Sequence, residues 1–126
     1  MSKFGNQSFI NKLFNAINGL KIQITQQSST KRQIFFTLLF VLLALYLKFS
    51  LLEFCLLSII ITIIFLAEFI NSTIEYTQDE LFGDNYSEIA KKAKDMAAGI
   101  VLYAFLMSSI SAAFLFIPKI IKLFVN

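Results

Sequence analysis

From Gln33 to Ile74 apolar residues dominate the chain, and the clearest interruption is the cluster Lys48, Ser50 and Glu53. That run is about twice as long as a ~30 Å hydrocarbon core requires, so it predicts two membrane-spanning helices, roughly 33–49 and 52–76, joined by a tight turn. A third apolar run predicts a span over 96–118, from Met96 to Ile117 and stopped near Pro118. Ahead of these, residues 8–26 place Ile10, Leu13, Phe14, Ile17, Leu20 and Ile24 on one helical face, with Asn11, Lys12, Asn15, Asn18 and Gln23 on others. This predicts an amphipathic helix capped by Ser8, too polar to span and therefore lying along the membrane surface. The polar link Gln26–Thr30, with Lys31 and Arg32 after it, is expected to end it. The polar segment Thr77–Asp95 predicts a turn at Gly83-Asp84-Asn85, then a helix start capped by Asn85 or Ser87 with Glu88 in its first turn. The expected fold is all-α: one domain over 1–126 with a surface helix and three transmembrane helices.

Composition agrees with that pattern and narrows the chemistry. Apolar residues make up 57% of 126 residues and charged residues 15%, which excludes disorder and argues for an integral membrane protein. There is no histidine, so serine triads, histidine acid–base work and most zinc sites are excluded; carboxylates, lysines and hydroxyls remain. The lone Cys55 rules out an intramolecular disulfide and reads as packing. The net charge of +3 is spread over helix ends, with no basic stripe for nucleic acid. Lys3, Lys12, Lys21, Lys31, Arg32, Lys91, Lys92 and Lys94 fall on one predicted side, against Lys48, Lys119 and Lys122 on the other. That bias predicts a cytoplasmic N-terminus and a cytoplasmic Thr77–Asp95 segment.

Polar groups near the end of the second span are the candidate chemistry. Glu68, Asn71, Ser72, Glu75 and Asp79 recur at i, i+3, i+4, i+7 and i+11, which on a helix is one continuous stripe. Carboxylates inside a membrane segment are costly and by default mark a functional site. Glu68 lies ~24 Å along a helix from Leu52, near the inner edge of the hydrocarbon, and Glu75 ~10 Å further out. One acid is placed to meet a lipid headgroup, the other to meet a soluble substrate.

The stretch from Glu68 through Asn71 and Glu75 to Asp79, followed by Tyr86 and by Ala93-Lys94-Asp95-Met96-Ala97-Ala98-Gly99, resembles the small prokaryotic lipid kinases of the diacylglycerol kinase and undecaprenol kinase family. Ala16-Ile17-Asn18-Gly19-Leu20-Lys21 resembles the surface-helix element of that family. The resemblance implies a homotrimer with active sites shared between neighbouring subunits, and ATP-dependent phosphorylation of a lipid alcohol in the bacterial inner membrane. It implies Glu68 as the catalytic base near the lipid hydroxyl and Glu75 as the ligand of a magnesium ion bridging ATP phosphates. Gly19, Asn71, Asp79, Lys94 and Asp95 would position the nucleotide. Diacylglycerol, giving phosphatidic acid, is the first expected substrate and undecaprenol the alternative, toward which Ala97-Ala98-Gly99 leans. The independent chemistry agrees: phosphoryl transfer depends mainly on positioning and charge neutralisation, and magnesium usually needs only one or two protein carboxylates.

Gln27 stands where the family has a further magnesium-binding glutamate, so an amide oxygen replaces a charge and a second metal site is weakened. The alternatives are a non-catalytic membrane protein that keeps the scaffold, or a small ion carrier using the Glu68–Glu75 stripe. The carrier has no need of Lys94 and Asp95. Bland roles are also defined: Glu68 and Glu75 paired with Lys91–Lys94 to fix packing, Asn71 and Ser72 as interhelical glue, and Ala97, Ala98 and Gly99 as close packing. Lys91 and Lys92 read as topology charges, Glu80, Asp84 and Glu88 as solvated loop surface, and the phenylalanines as lipid-facing bulk.

Overall fold

A computed structural model describes residues 8–125 and places in them four α-helices: α1 (Phe9–Gln26), α2 (Ser28–Tyr46), α3 (Leu51–Phe82) and α4 (Glu88–Val125). Lys3, counted above for orientation, lies outside the described residues. α2, α3 and α4 are each long and apolar enough to cross a membrane. The fold is all-α, with no strand among the described residues.

α1 opens as expected, the Asn11 N–H donating to Ser8 Oγ at 3.4 Å. None of its residues is buried, and Phe9, Ile10, Leu13, Phe14 and Ile17 are each more than half exposed. An apolar face without a partner in the protomer is what a helix lying in a membrane interface requires. The link expected over Gln26–Thr30 shrinks to one residue, because Gln27 alone leaves helical geometry and Ser28 already opens α2. Gln23 Nε2 donates to Thr30 Oγ1 at 3.2 Å, and Thr30 is fully buried. That bond ties α1 to α2 directly across a sharp corner.

The turn between α2 and α3 is a Schellman motif. The Phe49 N–H reaches the Ala44 carbonyl and the Lys48 N–H the Leu45 carbonyl, each at 3.1 Å, with Lys48 at φ +53° where glycine is usual. A non-glycine residue in that region is strained, and the packing of Phe49 on the other side holds it there. Phe49 is buried with Ala44, Leu47, Leu57 and Phe116, and its ring lies 4.8 Å from that of Phe116. These two phenylalanines are therefore core, which corrects the expectation of uniform lipid-facing bulk: the tight turn folds them between helices. Ser50 and Glu53 close a reciprocal capping box at the start of α3, and Glu53 Oε2 also meets Lys119 Nζ of α4 at 2.9 Å. The interruption in the apolar run is thus a helix start tied to a third helix.

α4 runs through Pro118 to Val125 instead of stopping there. Proline deprives only the Phe114 carbonyl of its backbone donor, and the apolar residues beyond it continue to favour helix in an environment where any unpaired backbone is costly. α4 packs chiefly along α3. Its buried residues include Ala90, Ala97 and Ala104, spaced by sevens, with Ala97 only 1% exposed. Between lipid-immersed helices there is no hydrophobic driving force, so small residues stabilise contact by letting backbones approach. Of the expected Ala97-Ala98-Gly99 patch, only Ala97 is buried; Ala98 and Gly99 are exposed, since neighbouring positions on a helix face different ways.

Both inner helices are longer than the spans that the apolar runs predict. α3 has 32 residues, ~48 Å of helix against a ~30 Å hydrocarbon core. The excess carries Asp79 on the same rod as Glu68, while α4 begins early enough to carry Lys94 and Asp95. Gly83, at φ +53°, terminates α3, and Ser87 Oγ accepts the Ala90 N–H at 3.3 Å, which makes Ser87 the cap of α4.

Candidate active site

The polar stripe forms as one face of α3. Asn71 and Ser72 are buried, Glu68 is half-buried, and Glu75 and Asp79 are exposed, so the stripe grades from the bundle interior to its polar end. Each acid within the span accepts a bond from a neighbour one turn away. Ser72 Oγ donates to Glu68 Oε1 at 3.5 Å, and Asn71 Nδ2 donates to Glu75 Oε1 at 3.1 Å. A carboxylate holds more lone pairs than these bonds use, so both acids keep acceptor capacity for a ligand. The side-chain bonds of Ser72 and Asn71 thus run to the two acids along their own helix.

Charge pairing leaves the two acids free. Lys94 Nζ bonds to Asp79 Oδ1 across the gap between α4 and α3, while Lys91 meets Asp95 and Lys92 meets Glu88, both at 2.8 Å along α4. Among the described residues, neither Glu68 nor Glu75 is paired with a cation, so the reading in which Lys91–Lys94 neutralise them for packing is not what the structure shows. Lys91 and Lys92 are spent on their own helix. Glu88 belongs to an exposed ion pair rather than to bare loop surface.

Beside the Lys94–Asp79 bridge, an open concavity of about 260 Å³ is lined by Gln78, Gly83, Tyr86, Ser87 and Lys94. Gln78 Oε1 is buried there without a hydrogen-bond partner. Sequence reasoning missed Gln78, although it lies seven residues beyond Asn71 and so belongs to the same helical face.

Of the predicted site residues, the structure assembles Glu68, Asn71, Glu75, Asp79 and Lys94 along one seam, with Asp95 beside it on α4 and tied to Lys91. It does not bond Gly19 or Gln27 to that seam. Gly19 sits within α1 with open space around it, and Gln27 is half-buried at the α1–α2 corner, where its backbone carbonyl starts α2.

The donor set suits magnesium. Glu75 supplies a charged oxygen, and Asn71 Oδ1, one turn away, is a buried oxygen with no partner. No group of three or more acidic, histidine or cysteine side chains suited to a metal occurs among the described residues.

The sequence matches the prokaryotic diacylglycerol kinase family over residues 14–116. The chain belongs to this family. The matched region contains all of α2 and α3 and every residue of the seam. Among curated relatives, a diacylglycerol kinase of Helicobacter pylori strain J99 is 33% identical over 107 residues, covering 81% of this chain and 83% of that protein. A second, from Helicobacter pylori strain 26695, is 34% identical over 98 residues, 78% of this chain and 76% of its own length. The undecaprenol kinase of Bacillus subtilis strain 168 is 36% identical over 73 residues, 58% of each chain. Family membership makes the protein a membrane lipid kinase, with ATP implied as its co-substrate.

Proposed function

We propose that the protein transfers the γ-phosphoryl group of ATP to the free hydroxyl of a membrane lipid alcohol at the cytoplasmic interface, with diacylglycerol as substrate and phosphatidic acid as product. The observation that carries this reading is the pair of unneutralised acids, Glu68 and Glu75, on one helix face beside the interhelical Lys94–Asp79 bridge. The test is transfer of labelled γ-phosphate from ATP to diacylglycerol and to undecaprenol, in parallel, by the purified protein in detergent. A second reading, undecaprenol as substrate, has the Bacillus subtilis relative in its favour.

Glu68 takes the proton of the lipid hydroxyl as its oxygen bonds to the γ-phosphorus, the bond from that phosphorus to the β-phosphate oxygen breaks and ADP leaves; Ser72 holds the receiving carboxylate in place. Glu75 and Asn71 Oδ1 would hold magnesium, which supplies neutralisation of the phosphate charge. Lys94 contributes a fixed positive charge, itself oriented by Asp79, and Asp95 stands beside it on the first turns of α4. Water exclusion comes from depth, because Glu68 lies where the apolar run ends.

Gly19 of α1 and Gln27 at the α1–α2 corner complete the proposed site. In the homotrimer that the family resemblance implies, these two residues would come from a neighbouring copy. Gln27→Glu is expected to raise kcat/KM, by a factor that grows as magnesium becomes limiting, because a carboxylate adds charge where the amide offers only a dipole. Initial rates over a magnesium series check it; an identical series for both proteins removes Gln27 from the metal site.

The N-terminus is proposed to be cytoplasmic and the C-terminus external, on the basic-residue bias and three spans. In a Cys55→Ser background, a cysteine at position 126 is expected to react with an impermeant thiol reagent from outside the cell and one at position 2 to remain protected. The reverse pattern inverts the topology.

A further inference from the structure

α1 has no buried residue and packs within the protomer chiefly against α2. For an amphipathic helix in a membrane interface, lipid sets the depth and the roll, because both decide how much apolar surface is buried. Its bearing within the membrane plane can change at no cost in burial, so lipid leaves that direction free. Within the protomer the bearing is therefore set at the corner with α2. There Gln27 alone departs from helical geometry, with φ −87° and ψ 115°, an ordinary extended conformation that by itself fixes little. Across it Gln23 Nε2 donates to Thr30 Oγ1 at 3.2 Å, over seven residues, and the side chain that accepts is fully buried. The buried end holds the bond in one direction, which closes the corner at one angle.

We propose that the Gln23–Thr30 bond fixes the bearing of α1 and so holds Gln27 and Gly19 where they complete the phosphoryl-transfer site, making Gln23 and Thr30 positioning residues for the reaction. The proposal rests on the lipid-kinase reading and on the place of Gln27 and Gly19 in it. The lever is long enough to matter. Gly19 lies eight residues, ~12 Å of helix, from Gln27, so a swing of ~10° at the corner moves it by ~2 Å. A misplacement of about 1 Å can cost roughly 10² in rate. Gln27 is the pivot, so the same swing turns its side chain. With the bond in place the competent bearing is the resting one. Without it that bearing is one of several, and nucleotide has to select it, which weakens apparent affinity and leaves the chemistry of the bound complex intact.

The experiment compares Thr30→Val with Thr30→Ser. Valine keeps the shape of the buried side chain and removes its acceptor oxygen, whereas serine keeps the oxygen. Gln23 is only half-buried and can turn to water, so the change leaves no orphaned donor in the interior. Two quantities are read: kcat and KM for magnesium–ATP with the lipid alcohol that the wild type phosphorylates, and, without nucleotide or metal, the distance between spin labels at positions 18 and 38. The labels replace Asn18 of α1 and Leu38 of α2, both exposed, in a Cys55→Ser background diluted with unlabelled protein. Thr30→Val is expected to raise KM about fivefold, the size of one neutral hydrogen bond, with kcat near native, and to broaden the distance distribution. Thr30→Ser should match the wild type in both. A lowered melting temperature with KM and distance unchanged means a role in stability alone and overturns the proposal, as does an unchanged distance whatever the rates show. Should Thr30→Val fail to fold, Gln23→Met removes the donor instead and is held to the same two results. A broadened distance with native KM overturns the positioning role and leaves the kinase reading standing, whereas a wild type that transfers phosphate to no lipid alcohol removes both.

Discussion

Glu75→Gln is expected to lower kcat/KM for magnesium–ATP by roughly 10²- to 10³-fold, the usual cost of removing one preorganised group that neutralises transition-state charge. Glutamine keeps the side-chain volume and retains one oxygen to accept from Asn71 Nδ2, whose bond to Glu75 measures 3.1 Å in the native protein. Folding should therefore survive, and the exposed position of Glu75 means that no buried charge is left uncompensated elsewhere. What disappears is the formal charge for a hard cation, so the magnesium concentration giving half-maximal rate should rise with the loss of activity. Steady-state rates over a magnesium series measure both. A variant with native turnover and native magnesium dependence would move the metal away from α3.

Glu68→Gln should show a different signature. The amide still accepts from Ser72 Oγ but cannot take up a proton, so turnover is expected to fall by about 10²- to 10⁴-fold, the range for a general base. Seven residues of helix, ~10 Å, separate it from Glu75, so the KM for ATP should stay near its native value. The split between the two variants is the informative result, since metal binding and proton transfer are assigned to different acids on one stripe. A Glu68→Gln protein that loses nucleotide binding while keeping turnover would exchange the two roles.

Much of the site is legible before any folding is considered because it lies on one helix. Glu68, Asn71, Ser72, Glu75 and Asp79 share a face by periodicity alone, and the structure leaves them there. Gln78 lay within reach of the same rule. The Ser50–Glu53 capping box was also written in the chain, as a serine three residues before a glutamate at the head of an apolar run. Its second role is not local: Lys119 is far along the sequence, and only the antiparallel return of α4 brings it to Glu53. The same holds for Lys94 and Asp79, whose residue types suggested a shared site but whose bond depends on α3 and α4 running side by side beyond their apolar stretches.

Span number, the amphipathic surface helix and the identity of the polar stripe follow from hydrophobic pattern, because transfer into lipid acts residue by residue and needs no knowledge of neighbours. Where helices end is less local. Pro118 failed to stop α4 and the Gln26–Thr30 link collapsed to Gln27, since the cost of unpaired backbone depends on what surrounds it. Which small residues face a partner, Ala90, Ala97 and Ala104, and which phenylalanines are core, Phe49 and Phe116, required the packing of α4 on α3 and the turn before it. In a chain that is apolar almost everywhere, hydrophobicity selects no contacts between helices, so shape and the satisfaction of scarce polar groups decide them, and these are properties of the assembled bundle.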